Sequence, residues 1–306
     1  MEATVRAHLD SHHGALSARD LARLGLTPNQ VRALVKAGEL TRVCRGAYLD
    51  PARLAGATPH DAHTARVRTV VLSRGGALAA SHQSAAALHG LPLLREELEP
   101  VRVVHTTDLK NTRRHDAFTV HPAPGRDCLT EVDGVPLVTA TLAVVGTAML
   151  AGQRSGLMAA DAALRRGLTT REELHEQLHR LTRHPGIARA RSVVVAADPS
   201  AESPGETLLR VLLLELGVDV VPQYRIVDGS VVVARVDFYL PSLRVVVEFD
   251  GLVKYDGRDG KEALAAEKRR EERIRGLGYG VARVVWADLF IPGRVAALVR
   301  AAAQTR

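Results

Sequence analysis

The stretch RVDFYLPSLRVVVEFDGLVK, Arg235 to Lys254, limits the folds open to this chain more than any other. Val236, Phe238 and Leu240 alternate with Arg235, Asp237 and Tyr239, the period-two pattern of a strand with one buried face. Pro241 and Ser242 supply a turn. Val245, Val246 and Val247 open a second strand that ends in Glu248-Phe249-Asp250-Gly251. Side chains on a strand alternate between its two faces, so Glu248 and Asp250 share one face. Asp237 is expected beside them across the hairpin. Carboxylates gathered on an apolar hairpin need a compensating cation, because desolvation and like-charge repulsion otherwise raise their pKa values. A hard ion such as Mg²⁺ (or Mn²⁺) takes oxygen ligands of this kind and still keeps waters and a phosphate. The alternative is a solvated hairpin end with ordinary surface acids.

Asp237, ten intervening residues and Glu248-x-Asp250 resemble the PD-(D/E)XK nuclease pattern. The nearest likeness is the branch similar to very-short-patch-repair endonucleases. Upstream, SPGETLLR (Ser203 to Arg210) resembles that branch's opening helix with its acid, here Glu206. Downstream, Glu267 to Leu289 resembles its helix, Gly-rich turn and last core strand. The resemblance implies a restriction-endonuclease-like mixed sheet flanked by helices over residues 201–306. It also implies Glu206, Asp237, Glu248 and Asp250 as ligands of Mg²⁺ or Mn²⁺ in phosphodiester hydrolysis. One position departs from the general pattern, which has Lys two residues after the acid where this chain has Asp250. Lys254 and Lys268 are the candidate replacements, Lys254 first, because Gly251 lets the chain turn back. Lys268, Arg269 and Arg270 are candidates to attract the DNA backbone. The other reading of that run is an exposed helix in which Glu267, Glu271 and Glu272 pair with it at helical spacing.

Residues 1–50 read as a small winged helix-turn-helix. Ser17-Ala18-Arg19-Asp20 is a capping box. Thr27-Pro28 opens the next helix, with Thr as N-cap and Pro at the first helical position. Val31, Leu34 and Val35 recur at helical spacing. Leu40 to Val43 and Gly46 to Leu49 read as two short strands, a wing with Cys44-Arg45 at its tip. In a groove-reading helix, Asn29, Gln30 and Arg32 lie near bases, while Lys36, Arg42 and Arg45 contact phosphates. A winged helix used for protein contacts is the alternative. The segment SARDLARLGLTPNQVRALVKAGELTRVCRGAYL resembles the N-terminal domain of AbiEi-type antitoxins, which repress their own promoters.

Residues 51–200 resemble the α/β and helical scaffold that follows that domain. HTARVRTVVL, ASHQSAAALHGL and the stretch after Thr139 read as helices. VRVVH, AFTVH and VPLVT read as strands. His82, His89, His105 and His121 are expected to be packing or strand-end histidines. The arginines at 180, 183, 189 and 191 are expected on a solvated helix face, and Asp198 to Pro204 as a linker.

The fold class is therefore α/β (α+β) in three parts: 1–50, 51–200 and 201–306. With aromatics at 3%, the cores must be built from Leu, Val and Ala. The net charge of +7 favours a polyanion such as DNA, although an Arg-rich proteome gives the same balance. Two cysteines make no disulfide framework. No apolar run reaches the roughly 18 residues of a membrane span, and a cytoplasmic protein is expected. The expected function is a metal-dependent DNA endonuclease guided by the winged helix, in defence or repair. The rival is an AbiEi-like regulator or antitoxin, partnered by a toxin, whose nuclease fold is inactive. A lesion-directed nicking enzyme is a third reading, and a homodimer is left open.

Overall fold

The computed structural model describes residues 3–107, 111–251 and 258–305, with side chains in the last segment from 266 onward. The chain divides into two compact units, Met1–Ala197 and Asp198–Arg306. The structure is a mixed α+β protein, with three sheets among the described residues.

The first unit opens with helix Ala3–Ser11, then helices Ala18–Arg23 and Pro28–Lys36. Both expected caps form: Ser17 with Asp20, and Thr27 with Gln30. Val5, Leu9, Leu16, Leu21, Val31 and Leu40 make the core of this segment. The wing strands are Thr41–Cys44 and Ala47–Leu49, so its tip is Arg45-Gly46 rather than Cys44-Arg45. A third strand, Ala15–Ser17, joins them, and nothing in its three-residue length announces it.

The same unit holds a six-stranded mixed sheet. Strands Val101–His105, Phe118–His121 and Val135–Val138 lie where alternation places them. Leu78–Ala80, Arg113–Arg114 and Leu129–Val132 are additional. Ala80, expected in a helix, is in the sheet, and the helix proper is His82–Leu88. Helices Pro59–Leu72, Ala140–Leu150, Gln153–Arg165, Arg171–Arg180 and Ile187–Ala196 complete the unit.

In the second unit, helix Pro204–Glu215 leads into strands Val221–Asp228, Val231–Leu240 and Val245–Asp250. Helix Arg258–Gly276 then crosses to strand Gly280–Val285, and helix Arg294–Gln304 follows. Arg258 to Gly260, expected in a loop, belong to the helix. The strand order is sequential, antiparallel for the first three, with Val245–Asp250 parallel to Gly280–Val285. A parallel pair requires a crossover connection, and the Arg258–Gly276 helix provides it. One face carries Ile226, Ala234, Val236, Val246, Ile274 and Val281 as a core, with Tyr224, Tyr239 and Tyr279 packed against it.

Candidate functional site

Antiparallel pairing between Val231–Leu240 and Val245–Asp250 covers only Phe238 to Leu240 against Val245 to Val247. The turn is tight because Pro241 starts it and Arg244 takes a left-handed conformation at φ 52°. Pairing stops one residue short of Asp237. There the Asp237 carboxylate takes the N–H of Phe249 at 2.7 Å. The other side of Phe249 is closed by Gly205, where a Cβ would lie 2.1 Å from the phenyl ring. That close approach brings the first turn of helix Pro204–Glu215, and with it Glu206, against the same strand.

Glu206 is 6% exposed. Its own N–H donates to the Ser203 hydroxyl, and its carboxylate accepts from the Glu202 N–H at 2.8 Å and the Gln223 amide at 3.1 Å. Gln223 sits at φ 48°, a strained backbone for a residue other than glycine. Burial pushes the Asp237 pKa up to about 6; the Phe249 N–H opposes this, and the charges of Glu206, Glu248 and Glu202 add to it. These acids thus lie within one another's field.

Glu248 is already paired. Arg270 meets its carboxylate at 2.7 Å and also donates to the Arg235 carbonyl at 2.9 Å. Arg283, in register with Glu248 on the neighbouring strand, stands 3.8 Å from it and pairs with Glu267 and Glu271. Arg270, expected on the DNA, is therefore seated on an acid of the site. Asp250 follows on the same strand, in register with Val285, and is not among the charges that act on Asp237. Lys268 is 80% exposed and 4.0 Å from Glu272, and Arg269 is exposed. Lys254 lies outside the described residues.

The donor set of Glu206, Asp237 and Glu248 is all oxygen, which suits a hard divalent cation. Their side chains do not close on one point: among the described residues, no three His, Cys, Asp or Glu are gathered tightly enough to hold a metal. Arg283, Gln223 and Glu202 were not legible as members of this site. Only Arg283 left a trace, as the charged position in the apolar run VARVV.

In the winged helix, Asn29, Gln30, Arg32, Lys36, Arg42 and Arg45 are all exposed. The Gln30 carbonyl oxygen is engaged by the Thr27 N–H at 2.8 Å, and Arg32 donates to Asn29. The wing is braced from behind, since Arg74 donates to the Arg45 carbonyl at 3.4 Å. A cleft of about 390 Å³ beside it is lined by Arg19, Arg23 and Arg74 with Asp20. Those three arginines were missed because two come from helix Ala18–Arg23 and the third from the turn after helix Pro59–Leu72, far apart in sequence.

Among the described residues, no helix is long and apolar enough to cross a membrane. Two uncharacterised proteins of Mycobacterium tuberculosis, from strains CDC 1551/Oshkosh and ATCC 25618/H37Rv, are 27% identical over 277 residues, covering 90% of this chain and 96% of theirs. Residues 4–49, the segment that folds as the winged helix, match the family model of a transcriptional regulator, the AbiEi antitoxin.

Proposed function

We propose that this chain is a DNA-binding protein whose N-terminal winged helix seats it on duplex DNA and whose C-terminal unit hydrolyses phosphodiester bonds with a divalent metal. The observation that carries the catalytic half is geometric: buried Glu206 and Asp237, held on the Phe249 N–H, stand against the strand that carries Glu248, and burial with the neighbouring glutamates pushes the Asp237 pKa up to about 6. A carboxylate perturbed by burial and by neighbouring acids is a mark of functional sites. Glu206, Asp237 and Glu248, with Asp250 beside them, would hold Mg²⁺ or Mn²⁺. When bound, the ion supplies a Lewis acid for the scissile phosphate and lowers the pKa of an attacking water.

The chain's own residues set the conditions. The Phe249 N–H orients the Asp237 carboxylate. Gln223 and the Glu202 N–H orient Glu206. Arg270 must leave Glu248 for that carboxylate to serve as a ligand, and once released it is positioned to neutralise charge on a phosphate. Lys254 and Lys268 remain the lysine candidates for the same task.

One observation favours a second reading. With Arg270 on Glu248 and Asp250 where the general pattern has Lys, the acidic site is compensated by the protein itself. The chain is then an AbiEi-like regulator, with a toxin as partner and a catalytically silent C-terminal unit.

Incubation of the full chain with supercoiled plasmid and Mg²⁺ or Mn²⁺ separates the two. The nuclease reading expects metal-dependent nicking or linearisation that Glu248→Ala abolishes. Cleavage that survives Glu248→Ala refutes the site. Duplex binding without cleavage under either metal selects the regulator.

A further inference from the structure

A second polar cluster lies in the first unit, on the six-stranded sheet. Arg102 of strand Val101–His105 is in register with Thr119, and Thr119 with Arg114 on the next strand. Register partners share a face, and His121 follows Thr119 by two residues, so Arg102, Thr119, His121 and Arg114 share one side of the sheet. Arg102 lies 3.2 Å from Nε2 of His121. His82, at the start of helix His82–Leu88, lays its ring on that of His121, with centroids 4.4 Å apart.

The site is held from behind. The Ser81 N–H donates to the Arg102 carbonyl at 3.0 Å, and the Arg102 N–H donates to the Ser84 hydroxyl at 2.9 Å. Ser84 is in turn 3.1 Å from His63, and His63 is 3.5 Å from Glu99. That Ser-His-Glu order matches a hydrolase triad, yet Ser84 is 0% and His63 1% exposed, which leaves it a structural brace. Gly146 makes room for the His82 imidazole, since a Cβ there would lie 3.0 Å from the ring. His82 itself is strained at φ 51°.

Charge is the unexplained property. Among the described residues, the groups that act on His82, Arg102 and His121 come from this cluster itself and from Arg114, and none is acidic; burial holds both imidazoles neutral at pH 7, so the standing charge is that of the two guanidiniums. The Arg102 Nε is buried with no hydrogen-bond partner among the described residues. Cations brought together on a half-buried surface are unfavourable unless an anion compensates them.

We infer that Arg102, Arg114, His82 and His121 form a binding site for the phosphate group of a small phosphorylated molecule. Guanidinium forks suit the tetrahedral oxygens of a phosphate, and the imidazoles add N–H donors. The buried, unpartnered Arg102 Nε–H is a further donor in the same cluster.

The test is calorimetric titration of the full chain at neutral pH with inorganic phosphate and with a deoxynucleoside 5′-monophosphate, beside fluorescence anisotropy with a short duplex. Saturable binding of either small ligand is expected, weakened about fivefold or more by Arg114→Gln, an exposed position whose loss spares the core. His82→Asn should weaken it as well, with an unchanged far-ultraviolet spectrum. Tighter binding of the nucleotide than of phosphate identifies a nucleotide as the source, and equal binding identifies the free ion. Absence of saturation below about 10 mM overturns the site. So does binding that Arg114→Gln leaves intact, or a loss confined to the duplex.

Discussion

The Asp237 carboxylate accepts the N–H of Phe249 at 2.7 Å, across the point where their two strands stop pairing. That bond ties an ionisable group to the backbone in a place that resists its charge. The unfolded carboxyl titrates near its ordinary 3.8 and the folded one at about 6. Between those values the folded chain binds more protons than the unfolded chain, so stability falls as pH rises through the window. A shift of about two units corresponds to about 2–3 kcal/mol. Asp237→Asn keeps an oxygen for the Phe249 N–H and removes the charge. It should stabilise the second unit by about 1–3 kcal/mol at pH 8 and leave it unchanged near pH 4. Urea unfolding followed by Trp286, the only tryptophan, reads this unit directly. An equal effect of the substitution at both pH values would show that Asp237 is not strained by its neighbours.

The Arg270–Glu248 pair at 2.7 Å makes a prediction of opposite kind. If Arg270 competes with a metal ion for Glu248, Arg270→Gln should lower the Mn²⁺ concentration for half-saturation by about three- to tenfold. Paramagnetic resonance of free Mn²⁺ measures it. Unchanged affinity would mean that the two cations do not share Glu248.

Much of the second unit was legible because its signals are local. Alternation in Val236, Phe238 and Leu240, the Pro241 turn and the Val245 run each act within a few residues. The expectation that Asp237 lies beside Glu248 rests on register alone, and it meets a ladder that ends one residue early. Arg270 shows why site chemistry was harder to read. Its place in a charged helix is equally that of a DNA contact or an internal ion pair, and only the packing of that helix on strands Val231–Leu240 and Gly280–Val285, with Glu248 between them, decides the matter. The short strands Ala15–Ser17, Leu78–Ala80 and Arg113–Arg114 were illegible for a related reason: two or three residues carry too little periodicity, and the strands form because long-range partners complete their ladders.

The winged helix offers a test through salt. Lys36, Arg42 and Arg45 are exposed, and the proposed DNA-binding role would set them on phosphates. Each released counterion contributes about 0.9 to the slope of log affinity against log salt. Arg45→Ala should therefore weaken duplex binding evenly across sequences and reduce that slope by about one. Asn29→Ala should instead narrow the gap between specific and non-specific duplexes, with the slope unchanged. Anisotropy titrations over a salt series separate the two outcomes, and a slope indifferent to all three basic residues removes the wing from the DNA.

His121 sets the acid limit of the first unit. Burial, with Arg102 and Arg114 adding to it, lowers its pKa from 6.5 to about 4, and His82 is lowered well below its usual value by burial, with His121 and Arg102 adding to it. The unfolded chain then binds more protons between pH 6.5 and 4, so this unit loses stability as pH falls through that window, the reverse of Asp237. His121→Gln, which keeps a polar partner for Arg102, should flatten the acid limb by about 1–3 kcal/mol. Thermal melts at pH 7.5 and 4.5 followed by far-ultraviolet circular dichroism sense the helices of both units, the larger share of them in this one, while Trp286 emission follows the other alone. The two probes should diverge in acid for the wild type and draw together in His121→Gln. If they move in parallel for both proteins, the buried imidazole does not govern acid unfolding.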